Sequence, residues 1–284
     1  MAGAGLIEVV LGRLDAAVAR LNRAEAIDPR SLAVAEYLGV ALYLQRRWAE
    51  ARRAFDRALS LVPTDLGVLE FRLSTFLSEG DLEGARRALT ETPPEVDRSQ
   101  LAAILAEHDL FWLLDRPTRD RVLVASPAAF DGDRGRWGVT LAEGHRLQGN
   151  TRLARAYADS ARVALEKQLE GAPDDGFLLV NRGRALAMLG RKNEAIAAGE
   201  RAHAIMPVTR DALFGPQIQQ RLVGIYLIVG EREKALGKLE PLLTVPYWLS
   251  PGWLRLDPTF DPLRGHPRFE RMVASEKTTT PENP

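Results

Sequence analysis

Asp131-Gly132-Asp133 is the stretch of this chain that comes nearest to a metal site. Two carboxylates one residue apart open a calcium loop, in which hard oxygen ligands at alternate positions wrap the ion. The third ligand would fall on Gly135 and the bidentate twelfth on Ala142, so the donor set fails. The aspartates read instead as a turn, with carboxylates near the start of the next helix and favoured by its dipole. Gly3-x-Gly5 would need a third glycine at position 8 to cradle a dinucleotide; Glu8 stands there, and no strand precedes it. His108, His145, His203 and His266 are scattered, and none lies in a His-Glu-x-x-His helix. No phosphate-binding loop or Gly-x-Ser-x-Gly nucleophile turn occurs. Cysteine is absent, which removes thiol chemistry and disulfides. No catalytic residue, cofactor or metal ligand is expected, and the chain reads as a binding protein rather than an enzyme.

The elements that would position binding residues are announced by a beat. Gly12, Arg46 and Gly80 stand 34 residues apart, as do Ala17, Ala51 and Ala85, and Pro29 and Pro63. A fixed period of this length marks a helical array, in which each unit buries its apolar faces only against its neighbours. The clearest unit spans residues 32–65. With Leu32 as position 1, Ala35 is at 4, Leu38-Gly39 at 7 and 8, Leu42 at 11, Ala51 at 20, Phe55 at 24, Ala58 at 27 and Pro63 at 32. Small Gly39 and Ala51 let two antiparallel helices approach; Leu38, Leu42 and Phe55 fill the gap at helical spacing; Pro63 ends the unit.

This pattern resembles the tetratricopeptide repeat, with only the loop glycine of position 15 replaced, by Arg46. The template recurs over residues 176–207, where Gly199 replaces the phenylalanine of position 24 and predicts thin packing. It also fits residues 66–94, 138–170 and 217–246 in part, and residues 1–29 as a unit lacking part of its first helix. In the 138–170 unit His145 takes a core position, which predicts a packed, hydrogen-bonded ring, and the second helix looks two turns too long. The expected fold is all-α: a solenoid of antiparallel helix pairs with a C-terminal cap. The expected division is an N-terminal array over 1–94, an irregular helical connector over 95–135, a second array over 136–246, a capping segment over 247–276 and a disordered tail over 277–284. Within the connector, apolar residues 101–114 predict one helix ending before Arg116-Pro117. In the cap, frequent prolines forbid a long helix, and Trp253, Leu256, Phe260, Leu263 and Phe269 are available to cover the last repeat.

The resemblance implies protein or peptide binding on the concave face, lined by positions 2, 5, 6, 9, 12 and 13 of each first helix. The candidate contact residues are Glu36, Tyr37, Val40, Tyr43, Phe177, Asn181, Arg184, Met188 and Arg221. Some arrays of this family clamp a C-terminal carboxylate through five set positions; Asn181 and Arg221 match two, while Val139, Glu143 and Gln217 do not, and Glu143 would repel the ligand. Leu254-Arg255-Leu256-Asp257-Pro258, Asp261-Pro262-Leu263-Arg264 and Pro267-Arg268-Phe269 resemble the end of arrays carried by bacterial signalling proteins. That implies an alternative role as the regulatory half of a signalling enzyme or transcription regulator whose other domain is absent from this chain. Composition agrees with a folded soluble protein: 46% apolar, 27% charged, net charge zero. Nothing presents the basic face that nucleic acid requires. The longest apolar run, residues 222–229, is too short to cross a bilayer. With no basic, uninterrupted apolar leader, a cytoplasmic location is expected, and the 33 arginines against 5 lysines point to a GC-rich bacterial coding bias.

Overall fold

The computed structural model describes residues 2–274, so the tail expected at 277–284 lies outside the described residues. All regular structure in the described residues is helical. Three pairs come first: α1 (Ala2–Val10) with α2 (Leu14–Ile27), α3 (Leu32–Leu44) with α4 (Trp48–Leu61), and α5 (Leu66–Glu79) with α6 (Leu82–Thr90). A connector follows, with α7 (Arg98–Glu107), a 3-10 turn at Phe111–Leu113, α8 (Arg116–Val122) and a second 3-10 turn at Pro127–Phe130. Three further pairs are α9 (Arg134–Leu147) with α10 (Thr151–Gly171), α11 (Gly176–Met188) with α12 (Lys192–Ile205), and α13 (Gly215–Ile228) with α14 (Arg232–Leu242). The described residues close with α15 (Pro251–Leu256), a 3-10 turn at Pro258–Leu263 and α16 (Pro267–Ala274).

The small residues sit where the pairs touch. Ala51, Ala54, Phe55 and Ala58 of α4 are fully buried. A Cβ added to Gly39 would collide with the Phe55 ring, which itself stacks on Phe71. At Gly199, where a thin spot was expected, the space is filled from the next pair: an added Cβ would meet Leu222 at 2.8 Å and Ile225 at 2.9 Å. The turn inside each pair needs a left-handed residue. Gly12, Gly80, Gly149, Gly190 and Gly230 supply it with φ between 71° and 82°, and Arg46 adopts φ 60° at the same place. Arginine bears steric strain there, but its Nη2 donates to the carbonyl of Leu243, 2.8 Å away and 197 residues on.

The longer beat of the second array has two sources. Between Gly149 and Gly190 the added length is α10, 21 residues long. Between Gly190 and Gly230 it is the turn segment after α12. That segment reaches the first pair: Ala212 N donates to Val10 O at 3.0 Å, and Leu213 packs on the N-terminal core. The single helix expected over residues 101–114 breaks early. α7 stops at Glu107, Asp109 takes φ 65°, and a 3-10 turn follows. An apolar run cannot distinguish one helix from a helix and a turn.

The end segment does more than cover the last repeat. Its 3-10 turn packs on α13 and α16 on α14, while α15 packs on α5 of the first array. Gly252 lies so close to the end of α5 that a Cβ would be 2.7 Å from both Gly80 N and Ser78 O. Ser250 Oγ donates to Ser78 O at 2.5 Å, Ser78 Oγ donates to Trp248 O at 2.7 Å, and the Tyr43 hydroxyl bonds Ser78 Oγ at 2.9 Å. One apolar cluster accordingly runs from α5–α8 through α13 and α14 to Trp253, Phe260 and Phe269. The solenoid is thus closed on itself, and its inner face is enclosed.

Gly39→Ala is expected to lower stability by about 1–3 kcal/mol, because the Phe55 ring has nowhere to go. Gly237→Ala, mid-helix on α14 with open space around it, is expected to raise stability by about 0.5–1 kcal/mol. Thermal or denaturant melts of the two variants check the opposite signs. Gly252→Ala is expected to lower amide protection through α15 and α16 more than in α1–α4, since backbone blocks the new methyl and no side-chain rotation relieves it. Hydrogen exchange read by segment checks this, and uniform loss across the chain would contradict it.

Candidate functional site

The break after α7 carries His108 and Asp109 to the centre of the closed array. Asp109 accepts a hydrogen bond from Arg184 of α11, and its Oδ2 lies 4.0 Å from Arg221 Nε of α13. His108 Nδ1 is 2.8 Å from Glu70 Oε2 of α5. The Tyr247 hydroxyl donates to Gln220 Oε1 at 2.6 Å. All of these groups except Arg184 border a cavity of about 200 Å³, walled by Tyr43, Phe71, Tyr247, Trp248 and Trp253 and rimmed by Phe214. A smaller cavity of about 90 Å³ lies on the other side of Asp109 and Arg221, against Glu143, Arg146 and Asp257.

Three inner charges have close partners: Arg184 with Asp109, His108 with Glu70, and Arg146 with Glu143, whose Oε2 accepts at 2.9 Å. The neighbouring Glu70 carboxylate pushes the His108 pKa up against partial desolvation, although the ring is 44% exposed. Arg221 is different. Its side chain is 13% exposed, and no hydrogen bond reaches its guanidinium among the described residues. Burial lowers its pKa, against the opposing pull of Asp109. Asp257 is pushed up to about 6 by burial, although Thr259 N and Trp253 Nε1 both donate to its carboxylate.

The helix-pair geometry of the N-terminal region has a counterpart in sequence: the tetratricopeptide-repeat profile matches residues 3–65. Residues 3–65 carry tetratricopeptide repeats. Solved structures with similar folds include a tetratricopeptide repeat protein from Parabacteroides merdae ATCC 43184, at TM-score 0.43 and 19% identity over 86% of this chain and 91% of that one. A thermophilic tetratricopeptide-repeat protein from Thermus thermophilus gives 0.36 and 22% over 76% and 91%. A chain of the APC/C hetero-tetramer Cut9–Hcn1 gives 0.44 and 16% over 89% of this chain and 44% of its own length. No curated protein sequence matches the chain.

The repeats bring some of the sequence-derived contact residues together and bury others. Tyr43, Arg184 and Arg221 converge around Asp109, and Phe177 lies at the rim, edge-on to Phe214 at 5.9 Å and under the Arg221 guanidinium at 5.3 Å. Glu36 and Tyr37 are half-buried. Val40 and Met188 are core residues, and Asn181 is buried with its Oδ1 unpartnered. Tyr43 is 1% exposed, with its hydroxyl committed to Ser78, so a partner cannot reach its ring from outside the closed array. Val40, Tyr43 and Met188, read as part of an open contact face, are buried instead: Val40 and Met188 pack in repeat cores, and Tyr43 lies in a cluster that Trp248 of the returning end segment packs against. Sequence reasoning missed Glu70, His108, Asp109, Gln220 and Tyr247. The one available signal was the polar His108-Asp109 pair interrupting an apolar run.

The residues weighed for chemistry have structural work. Asp133 caps α9, accepting from Gly135 N at 2.8 Å and Arg136 N at 3.0 Å, and Asp131 lies 3.6 Å from Arg136. His145 is packed as expected, stacked on Tyr157 at 5.3 Å, but its Nδ1 has no hydrogen-bond partner. Among the described residues no three His, Asp or Glu side chains gather as a metal site would need. No helix among them is long and apolar enough to cross a membrane.

The raised Asp257 pKa fixes the sign of a pH effect. The folded state holds the proton more tightly than the unfolded chain, so this group's contribution to stability is greatest below its ordinary 3.8 and is lost as pH rises to about 6. Asp257→Asn removes that dependence. The stability of Asp257→Asn relative to wild type is expected to grow by up to about 3 kcal/mol between pH 4 and pH 7. Denaturant melts of both proteins across that range check it, and a constant difference would contradict it.

Proposed function

We propose that this protein is a non-catalytic scaffold that binds a protein or peptide partner at the rim of its inner face. The carrying observation is the exposed aromatic pair at the rim: Phe214 is 40% exposed and meets half-buried Phe177 edge-on, with Arg221 against the latter ring. Rigid aromatics beside arginine are the residue types that anchor interfaces, and half-buried Glu36 and Tyr37 add polar and aromatic surface on α3. Tetratricopeptide repeats suit this role because a rigid stack presents the same side chains to every partner. The charged groups behind the rim are mostly engaged with one another, an arrangement that serves recognition rather than turnover. A second reading rests on the signalling-type end segment, residues 253–269: the array is the regulatory half of a larger bacterial signalling assembly.

The test begins with capture by the full chain, identification of the captured protein, and titration of that protein in purified form. Phe214→Ala is expected to weaken binding at least about tenfold with melting unchanged. Arg23→Ala, on the second helix of the first pair, is expected to leave binding intact. Binding that survives Phe214→Ala with Phe177→Ala would place the partner elsewhere.

A further inference from the structure

We infer that the central cavity is a binding site for a small aromatic monocarboxylate, held by Arg221. Four observations on different footings converge on it. The first is size. At about 200 Å³ the cavity exceeds the 150 Å³ or so that holds one benzene ring, leaving room for a ring and one planar polar group. The second is the wall: Tyr43, Phe71, Tyr247, Trp248 and Trp253 offer ring faces and edges to a flat apolar body.

The third observation is the charge. A guanidinium only 13% exposed demands acceptors for its five donors, yet no hydrogen bond among the described residues reaches Arg221, and its closest carboxylate oxygen is 4.0 Å from Nε. None of its nitrogens is among the sealed, unpartnered side-chain atoms, so they open onto the cavities that Arg221 lines. The carboxylates whose charge acts on it are otherwise occupied: Asp109 accepts from Arg184, and Glu107 accepts from Arg136 at 2.8 Å. A planar carboxylate matches the guanidinium fork. A dianion is disfavoured, because Glu70 and Asp109 border the same space. The fourth is access: Phe214 lines the cavity and is 40% exposed, so the cavity reaches the surface at the rim.

A buried arginine held for structure alone would be tied to a carboxylate by paired hydrogen bonds. One held for a ligand carries a stability cost that an apolar residue of similar length removes. Arg221→Met therefore separates the two roles. In the full-length protein, phenylacetate is expected to raise the melting temperature and shift tryptophan emission through Trp248 and Trp253. The neutral isostere phenylacetamide is expected to bind at least tenfold more weakly in calorimetry. Arg221→Met is expected to melt at or above the wild-type temperature and to lose the phenylacetate response. If that variant melts far below wild type, Arg221→Lys replaces it; keeping the charge but losing the fork, it is expected to bind at least tenfold more weakly.

The same chemistry occurs at a chain end, so a hexapeptide ending in phenylalanine, with free or amidated carboxylate, forms a second arm. Binding of the free-acid peptide in place of phenylacetate would assign the carboxylate to a chain end and overturn the small-ligand proposal. Equal binding of phenylacetamide, an undiminished response in Arg221→Met, or no response to either carboxylate would overturn the proposal. The partner reading stands or falls separately, since titration of the captured protein reads the rim and phenylacetate calorimetry reads the cavity, each on both Phe214→Ala and Arg221→Met.

Discussion

Ser78 is the point on which the architecture closes. It lies fully buried at the end of α5, and its hydroxyl and carbonyl meet Tyr43, Trp248 and Ser250. Buried polar groups of this kind are stabilising only when each has its partner. Here the partners come from two distant parts of the chain: Tyr43 from the second repeat, and Trp248 and Ser250 from the segment after the last. The glycines alongside make the approach possible, because Gly252 rests against backbone of residues 78–80 with no room for a methyl. An array that would otherwise stack in one direction is held as a closed body, with its largest apolar cluster joining α5–α8 to α13–α16.

The departures from regular repetition serve that closure. The lengthened turn after α12 supplies Ala212 and Leu213 to the first pair, and Arg46 holds a strained turn while bonding Leu243. The break in α7 places His108 and Asp109 inside instead of continuing the helix outward. In a regular stack each unit meets only its neighbours; contacts between units far apart require residues outside the repeat register, and those irregular segments provide them.

Closure also sets the electrostatics of the interior. Charges that would be solvated on an open concave face are pressed together, and most answer by pairing: Arg184 with Asp109, His108 with Glu70, Arg146 with Glu143. Asp257 answers by holding its proton more tightly, since burial outweighs the two bonds it accepts. Arg221 has neither remedy, as a guanidinium keeps its charge and its nearest carboxylate already serves another arginine. The rim aromatics Phe177 and Phe214 lie between this charged interior and solvent.

The sequence by itself determined the helix pairs. Ala51, Gly39 and Phe55 encode a close contact between two helices, and the 34-residue step places the turns, because both depend on residues near in sequence. It also marked the end segment as irregular through its prolines, and it put Tyr43, Arg184 and Arg221 on inward positions. Tertiary structure decided what those positions face. Whether an inward side chain borders solvent, a core or a cavity depends on where the chain's end returns, and that contact joins Ser78 to Ser250 across 172 residues with no shared periodicity. Tyr43 became core, Arg221 became a buried charge, and Asp109, which the apolar run around it made look like part of a helix, became the centre of the site. Such outcomes follow from long-range packing, which no local pattern of residue types encodes.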